Sequence, residues 1–446
     1  MTLRVHPDEI VQRSTSPLLG VHKSWERVRL GDVADVLNGF AFKSQFFGTD
    51  GGVPLLRIRD VGRPDTSTTY AGEYDPTYLV EPGSIVIGMD GDFRIALWTG
   101  RPALLNQRVC KVSVRDPDLY EPGLLLYALP GYLDAVNALT SSVTVKHLSS
   151  RTVQDIPLPL PPLNEQRRIV AAIEEHLSRL DAADASLVTA SARLSPLRER
   201  VIEASQNGSE SRPLGELLRE PLRNGHSAKA DRDGTIRTLT LSAVTQGKFI
   251  DANTKLTSAD PEKITNLWLE PGDILVERSN TPELVGTAAL FSGPSGWAIF
   301  PDLLIRARVG DAVLPEFVEI VLKSRRARSY FRSAAQGIAG SMPKIDQGVV
   351  ERLEVPVPPL EEQKRIVAEV EARLSALDAL RASIERAQRR SRALRAAVLA
   401  QAFRGELVPQ DPADEPAEAL LARIRAEPDA APRTGRSGRK KVASQD

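Results

Sequence analysis

The sequence predicts an α+β protein in which two similar mixed α/β globules are separated by two long helices that pair as an antiparallel coiled coil. Three observations lead there: a duplicated helical segment, a fainter duplication upstream of each copy, and short alternating apolar runs punctuated by Gly, Pro and Asp. The segment PPLNEQRRIVAAIEEHLSRLDAADAS from Pro161 aligns without a gap on PPLEEQKRIVAEVEARLSALDALRAS from Pro358. Gln166 then matches Gln363, Ile169 matches Ile366, Leu177 matches Leu374 and Asp181 matches Asp378. One constant offset over such a length marks an internal repeat. Upstream, LGDVADVLNG from Leu30 echoes LGELLREPLRNG from Leu214, and LVEPGSIVI from Leu79 echoes LWLEPGDILV from Leu267. The repeating unit is therefore a whole half-protein, related to its partner by a pseudo-twofold.

Taken in order, residues 1–24 read as an N-terminal extension, and residues 25–160 as a first globule of about 140 residues, an ordinary domain size. Alternating apolar stretches at 54–59, 84–87 and 109–114, and at 273–276 in the second globule, read as short strands. Residues Gly123 to Leu139 and Pro315 to Ala335 have helical apolar spacing at equivalent places, so each globule closes on a helix. The first spacer, 161–206, lacks Gly at its centre and repeats Val170, Ile173, Leu177, Leu180, Leu187, Leu194 and Val201 at coiled-coil spacing. Two prolines ahead of Leu163 suit a helix start, and Pro196 is expected to kink or end the helix. The second globule spans 207–357 and the second spacer 358–405, predicted helical from Leu360 to Phe403. Forty-odd residues at 1.5 Å each reach roughly 60 Å, enough for a spacer. Asp184 and Arg381 occupy equivalent central seam positions and are expected either to pair and fix the register or simply to be solvated. The segment 406–446 ends in a basic tail with Arg433, Arg436, Arg439, Lys440 and Lys441, expected to be disordered.

Composition excludes several classes. With 446 residues, two or three folding units are expected. Hydrophobic residues at 41% and charged residues at 26% rule out wholesale disorder. No apolar run approaches the ~20 residues of a membrane span, and the N-terminus lacks a signal peptide, so a cytoplasmic protein is expected. A single cysteine, Cys110, cannot form an internal disulfide, and His6, His22, His147, His176 and His226 never fall at metal-ligand spacing. Lys+Arg 58 against Asp+Glu 58 argues against indiscriminate polyanion binding and for local basic faces. No triphosphate loop, dinucleotide fingerprint or nucleophile elbow occurs. Asp75-Pro-Thr-Tyr78 lacks the second proline of an adenine-methyltransferase motif and reads as a turn. A chain without catalytic chemistry of its own follows.

Binding chemistry remains. Lys323, Arg325, Arg326, Arg328 and Arg332 crowd the last helix of the second globule, ahead of the Gly-rich loop from Gln336 to Lys344. The stretch from Thr140 to His147 is its counterpart in the first globule. Small residues allow close approach to phosphate, while hydroxyls and Lys reach base edges.

The two P-P-L-x-E-Q-[RK]-R-I-V helix starts, NGFAFKS at Asn38 and AFRGELVPQDPADEPAEALLARIRAE from Ala402 carry a resemblance. Over nearly its whole length the chain resembles the DNA-specificity (S) subunit of type I restriction-modification systems. The resemblance implies two target recognition domains, each reading half of a split site on double-stranded DNA, with the helices setting the gap. It also implies two methyltransferase (M) and two restriction/translocase (R) subunits as partners. This chain would need no cofactor; S-adenosylmethionine, ATP and Mg would belong to the partners. Candidate DNA contacts, chosen by residue type and place in the repeat, are Lys43, Arg57, Arg59, Arg94, Arg108, Lys146 and His147 in the first globule. In the second they are Arg237, Arg278, Asn280, Arg306, Arg325, Arg326 and Lys344. The repeated helix starts, Glu165, Gln166 and Arg168 with Glu362, Gln363 and Arg365, offer either two partner-docking patches or packing against the chain's own globules. A specificity subunit of a related system with a fused methyltransferase-nuclease, or a non-DNA scaffold of two modules on a coiled-coil strut, are the alternatives.

Overall fold

The structure, a computed structural model, describes residues 7–14, 16–139, 146–204, 210–337 and 342–426; the basic tail and the loop stretches 140–145 and 338–341 lie outside them. The chain divides into two compact units, Met1–Asp184 with Arg389–Asp446, and Ala185–Gln388.

In the first unit a four-stranded antiparallel sheet runs in the order Ala34–Asn38, Val109–Val114, Ile85–Gly88, Ile95–Leu97. The second unit repeats it with Arg223–Asn224, Leu304–Ala307, Ile274–Glu277, Ala288–Leu290. Val109 faces Gly88 as Leu304 faces Glu277, which makes these positions equivalent. Each globule is closed by pairing its entry strand with its exit strand: Glu26–Arg29 with Pro157–Leu160, and Ser211–Pro213 with Glu354–Pro356. Each long helix therefore starts beside the first strand of the globule it follows. The globules differ in their second sheets. The first has five strands with one parallel pairing, Val53–Leu56 with Ala103–Leu105, whereas the second has the pair Ile236–Leu239 and Thr254–Thr257.

Two expected elements are shorter than the apolar pattern suggests. The strand at 54–59 stops at Leu56, because the buried Asp60 carboxylate accepts the Arg57 N–H at 3.1 Å and turns the chain. The helix over Pro315 to Ala335 is two, Pro315–Leu322 and Arg325–Ala334. Ser324 breaks it: its backbone is extended and its hydroxyl accepts the Ala327 N–H at 3.1 Å, an N-cap.

The long helices span Leu163–Ala204 and Leu360–Phe403. The first runs through Pro196 instead of ending there. An interior proline costs ~3 kcal/mol; burial of Leu194 and Ile202 on either side of it, ~1.5–3 kcal/mol each, offsets that cost. The helices pack together and run antiparallel. In the first unit Ile169 and Ile173 share a core with Ala402 and Phe403, and Arg395 pairs with Asp181 and Asp184 at 2.7 and 2.8 Å. In the second, Ile202 packs on Val370, and Arg198 pairs with Asp378 at 2.9 Å. Arg198 and Arg395 are equivalent in the repeat, as are Asp181 and Asp378, so one ion pair is made twice. This corrects the expected Asp184–Arg381 pair: Asp184 is bound to Arg395, and Arg381 is exposed. The residues facing each other are set by the Asp181/Arg395 register, which places Asp184 opposite the later part of the second helix.

Ile10 and Leu19 of the N-terminal extension and Leu420 and Ile424 of the C-terminal helix Ala417–Ala426 enter the same core as Phe403. Among the described residues no helix is long and apolar enough to cross a membrane.

Candidate nucleic-acid interface

At one end of each four-stranded sheet three separate chain segments converge. In the first globule the strand Ile85–Gly88 continues into Met89-Asp90-Gly91, and Gly91 turns the chain at φ +74°. The Met89 N–H donates to Arg108 O at 2.9 Å, and the Met89 carbonyl accepts from Leu148 N at 2.7 Å. These bonds hold Asp90, Arg108 and His147 side by side. His147 Nδ1 lies 2.7 Å from Asp90 Oδ1, and Arg108 donates to Oδ2 of the same carboxylate. The Asp90 side chain is 10% exposed, against 58% for Arg108 and 54% for His147, so a sheltered acid carries two cation-capable groups at the surface. Burial opposes the ionisation of Asp90, but the bonds from His147 and Arg108 outweigh it and hold its pKa below the usual carboxylate value. Beside this cluster a cavity of about 290 Å³ is lined by Arg59, Gly88, Asp90, Asp92 and Arg94 among others.

In the second globule the equivalent strand continues into Arg278-Ser279-Asn280. Arg278 N donates to Leu303 O at 2.8 Å, and Ile345 N donates to Arg278 O at 2.9 Å. Ser279 bridges Lys344 as Asp90 bridges His147. Gln336 and Lys344 exchange two backbone hydrogen bonds of 2.9 Å, closing the neck of the Gly-rich loop. Arg278, Gln336, Lys344 and Asp346 line a cavity of about 240 Å³. The same place in the fold thus presents Asp90, Arg108 and His147 in one globule, but Ser279, Leu303 and Lys344 with Arg278 in the other.

Arg59 and Arg94 line the cavity beside Asp90, and the other candidates scatter. Lys43 and Arg94 are exposed; Arg57 lies over the Phe47 ring at 5.7 Å; Arg59 donates to Thr68 at 2.8 Å. Lys146 is tied to Asn137 by bonds of 2.7 and 2.6 Å. Arg237 sits over Trp297 at 4.8 Å, and Arg325 and Arg326 are exposed on their helix. Neighbouring Arg328 turns inward, donating to Thr287 Oγ1 at 2.8 Å and to the Leu284 and Val285 carbonyls.

Arg306 belongs to the interior, and Asn280 is half-buried with its side chain already bonded. Arg306 is 3% exposed, paired with Glu220 at 2.7 Å, and donates to Trp268 O at 3.0 Å. It cannot meet DNA without unfolding its surroundings. Asn280 donates its amide to Glu277 at 2.9 Å and accepts from Thr281 N. Glu277 is fully buried; desolvation pushes its pKa up against the opposing bonds from Thr245 and Asn280. Residue type alone carries no signal for the burial of Arg306, and an acid such as Asp90 is not an obvious partner for a polyanion.

The helix-start residues divide in the same way. Gln166 and Gln363 are buried and do one job twice. Gln166 accepts Glu121 N and donates to Pro161 O, while Gln363 accepts Leu314 N and donates to Ala312 O and Pro358 O. Each glutamine clamps its globule onto its helix, which removes both from a docking surface. Glu165 is also buried, bound by Trp25 Nε1 at 3.1 Å and by Gln410; burial raises its pKa against these bonds. Arg168 binds Asp414 at 2.7 Å, so the C-terminal segment covers the first helix start. Glu362 and Arg365 pair with each other at 2.6 Å on an exposed face.

The sequence pattern described as the type I restriction modification DNA specificity domain matches residues 22–185. Over 457 aligned residues the chain is 34% identical to the Type I restriction enzyme EcoBI specificity subunit of Escherichia coli, covering 94% of this chain and 95% of that protein. The chain belongs to the type I restriction-modification specificity subunits. The EcoKI specificity subunit of Escherichia coli strain K12 is 28% identical, over 91% of this chain and 96% of its own. In fold, the subunit is similar to the HsdS subunit from Thermoanaerobacter tengcongensis, with a TM-score of 0.56 at 19% identity, covering 86% of this chain and 98% of that one. A chain from a study of "complex assembly and conformational transition of the type I R-M system" gives a TM-score of 0.66 at 19% identity, covering 86% and 99%. Specificity subunits are the non-catalytic components of type I systems, recognise DNA, and work with methyltransferase and restriction subunits.

Proposed function

We propose that residues 25–160 and 207–357 are two recognition domains, each reading one half of a bipartite site on double-stranded DNA, with the helices of 161–206 and 358–405 setting the gap. The observation that carries this reading is the duplicated cluster at the sheet ends. One scaffold presents Asp90, Arg108 and His147 in one copy and Arg278, Ser279 and Lys344 in the other, as two domains with different targets require. Phosphate contacts position and base contacts specify. In this reading Arg59 and Arg94 supply positioning charge beside the first cluster, and Lys43, Arg57, Lys146, Arg237, Arg325 and Arg326 supply it elsewhere on the two domains. Two methyltransferase and two restriction/translocase subunits dock on this cytoplasmic chain and bring S-adenosylmethionine, ATP and Mg. Arg168, Glu362 and Arg365 keep some surface for such contacts, whereas Glu165, Gln166 and Gln363 do not.

The test is a genome-wide adenine-methylation map of the host with and without the gene. Loss of one split motif, two short half-sites around a fixed gap, is the expected result. If every methylated motif persisted in a strain known to express the subunit with its methyltransferase, the bipartite reading would fail.

A further inference from the structure

Arg108 is an exposed cation mounted on a sheltered acid that a second side chain also holds. Its Nη1 is held by Asp90, and Asp90 is in turn held on its other oxygen by His147. The backbone beneath is equally constrained: Met89 N donates to Arg108 O at 2.9 Å across the sheet end, and Gly91 N donates to Lys146 O at 3.1 Å. More than half of the Arg108 side chain stays exposed. A guanidinium fixed through one nitrogen keeps its remaining N–H groups in a fork, and the rotamer entropy of a free arginine has already been spent in the folded protein. The acid also has a cost. A carboxylate facing a polyanion repels phosphate, so the pair suits a base edge better than a backbone.

We propose that Arg108, braced by Asp90, is the residue that reads a guanine in the half-site of the first domain, donating to O6 and N7 in the major groove. This rests on the reading of the globules as DNA-recognition domains. Asp90 is a positioning residue in this scheme: it sets the plane of the guanidinium and cancels part of its charge, so that Arg108 gains little from phosphate alone. His147 completes the brace, since its Nδ1 is committed to Asp90 and its Nε2 faces away from that bond. Guanine is the base whose two major-groove acceptors match the arginine fork. The second domain cannot read its half-site in this way, because Leu303 stands at the position of Arg108 and Ser279 at that of Asp90.

The experiment compares adenine-methylation maps, and binding by the purified subunit–methyltransferase complex, for wild type, Arg108→Ala, Arg108→Lys and Asp90→Asn. Wild type should show a guanine in one half-site that Arg108→Ala relaxes to other bases, discrimination falling about tenfold or more. Arg108→Lys should restore only part of it, because an ammonium lacks the fork. Asp90→Asn should relax the same single position and leave the other half-site untouched, a base-specific readout that a merely structural role would not produce. Thermal unfolding of each variant guards against misfolding, and Arg108→Lys, which changes only an exposed side chain, decides the matter if Asp90→Asn fails to fold. Uniform weakening at all sequences would make Arg108 a phosphate contact and overturn the proposal, as would an unchanged motif in the Arg108 variants. A wild-type map with no split motif would instead sink the underlying reading, and this proposal with it.

Discussion

A cation's place in the fold decides whether it can meet a phosphate, and Arg306 and Lys344 sit at the two extremes. Arg306 comes from an inner strand of the second globule's four-stranded sheet, with its guanidinium shared between Glu220 and the Trp268 carbonyl and its charge disfavoured by burial. Removing one member of a buried ion pair typically costs 3–5 kcal/mol when its partner is left alone; Glu220 keeps some solvent and a second partner, Arg308 at 3.2 Å, so Arg306→Ala is expected to lose ~1–3 kcal/mol of stability. Denaturant unfolding measures this, and a wild-type midpoint would show that the pair does not brace the sheet. Lys344→Ala should behave oppositely. Its side chain is exposed at the neck of the loop, so unfolding should not change, while affinity for one half-site falls by ~1–3 kcal/mol if it reads a base. The sequence could not separate the two residues, since an Arg in an apolar strand and a Lys after a Gly-rich loop look equally available. Their difference is made by Glu220, which is distant in sequence.

The long helices were legible in the sequence because their information is local and repeated, and their boundaries at Leu163 and Leu360 follow from the prolines before them. The strands over 109–114 and 84–87 were legible because their apolar alternation is local. What the sequence did not reveal depends on which residue lies opposite. The partner of Asp184 is set by interhelical register, and the break at Ser324 by a hydroxyl that competes with an otherwise continuous helical pattern. Pro196 belongs with these. It is an exposed position within a continuous helix, so the side chain itself contributes no core packing, and its missing N–H leaves a helical carbonyl without its usual donor. Pro196→Ala should therefore stabilise the protein by ~1–3 kcal/mol, read as a raised midpoint of thermal unfolding. A lowered midpoint would mean that the helix is shaped by its proline and that packing around Leu194 depends on that shape.

At the scale of the whole chain, zero net charge removes the long-range attraction that lets basic proteins bind any DNA, so under the proposed reading affinity has to come from the two local clusters. The cations on hand are few: Asp90 neutralises part of the first cluster, and in the second domain the Arg328 guanidinium is taken up by Thr287 and backbone carbonyls. A single domain should accordingly bind its half-site weakly and with a shallow salt dependence. Joined in one chain, the second contact becomes intramolecular once the first is made, and tethering of this kind raises affinity by ~10²–10⁴ when the geometry is met. A duplex with both half-sites at the native gap should therefore bind the subunit–methyltransferase complex ~10²–10⁴ times more tightly than one with either half-site scrambled. Changing the gap by a few base pairs should remove most of that gain while leaving both half-sites intact. Titration of such duplexes at one fixed salt concentration measures it. If the mis-spaced duplex bound as tightly as the native one, the domains would be reading DNA independently, and the helices would not be a ruler.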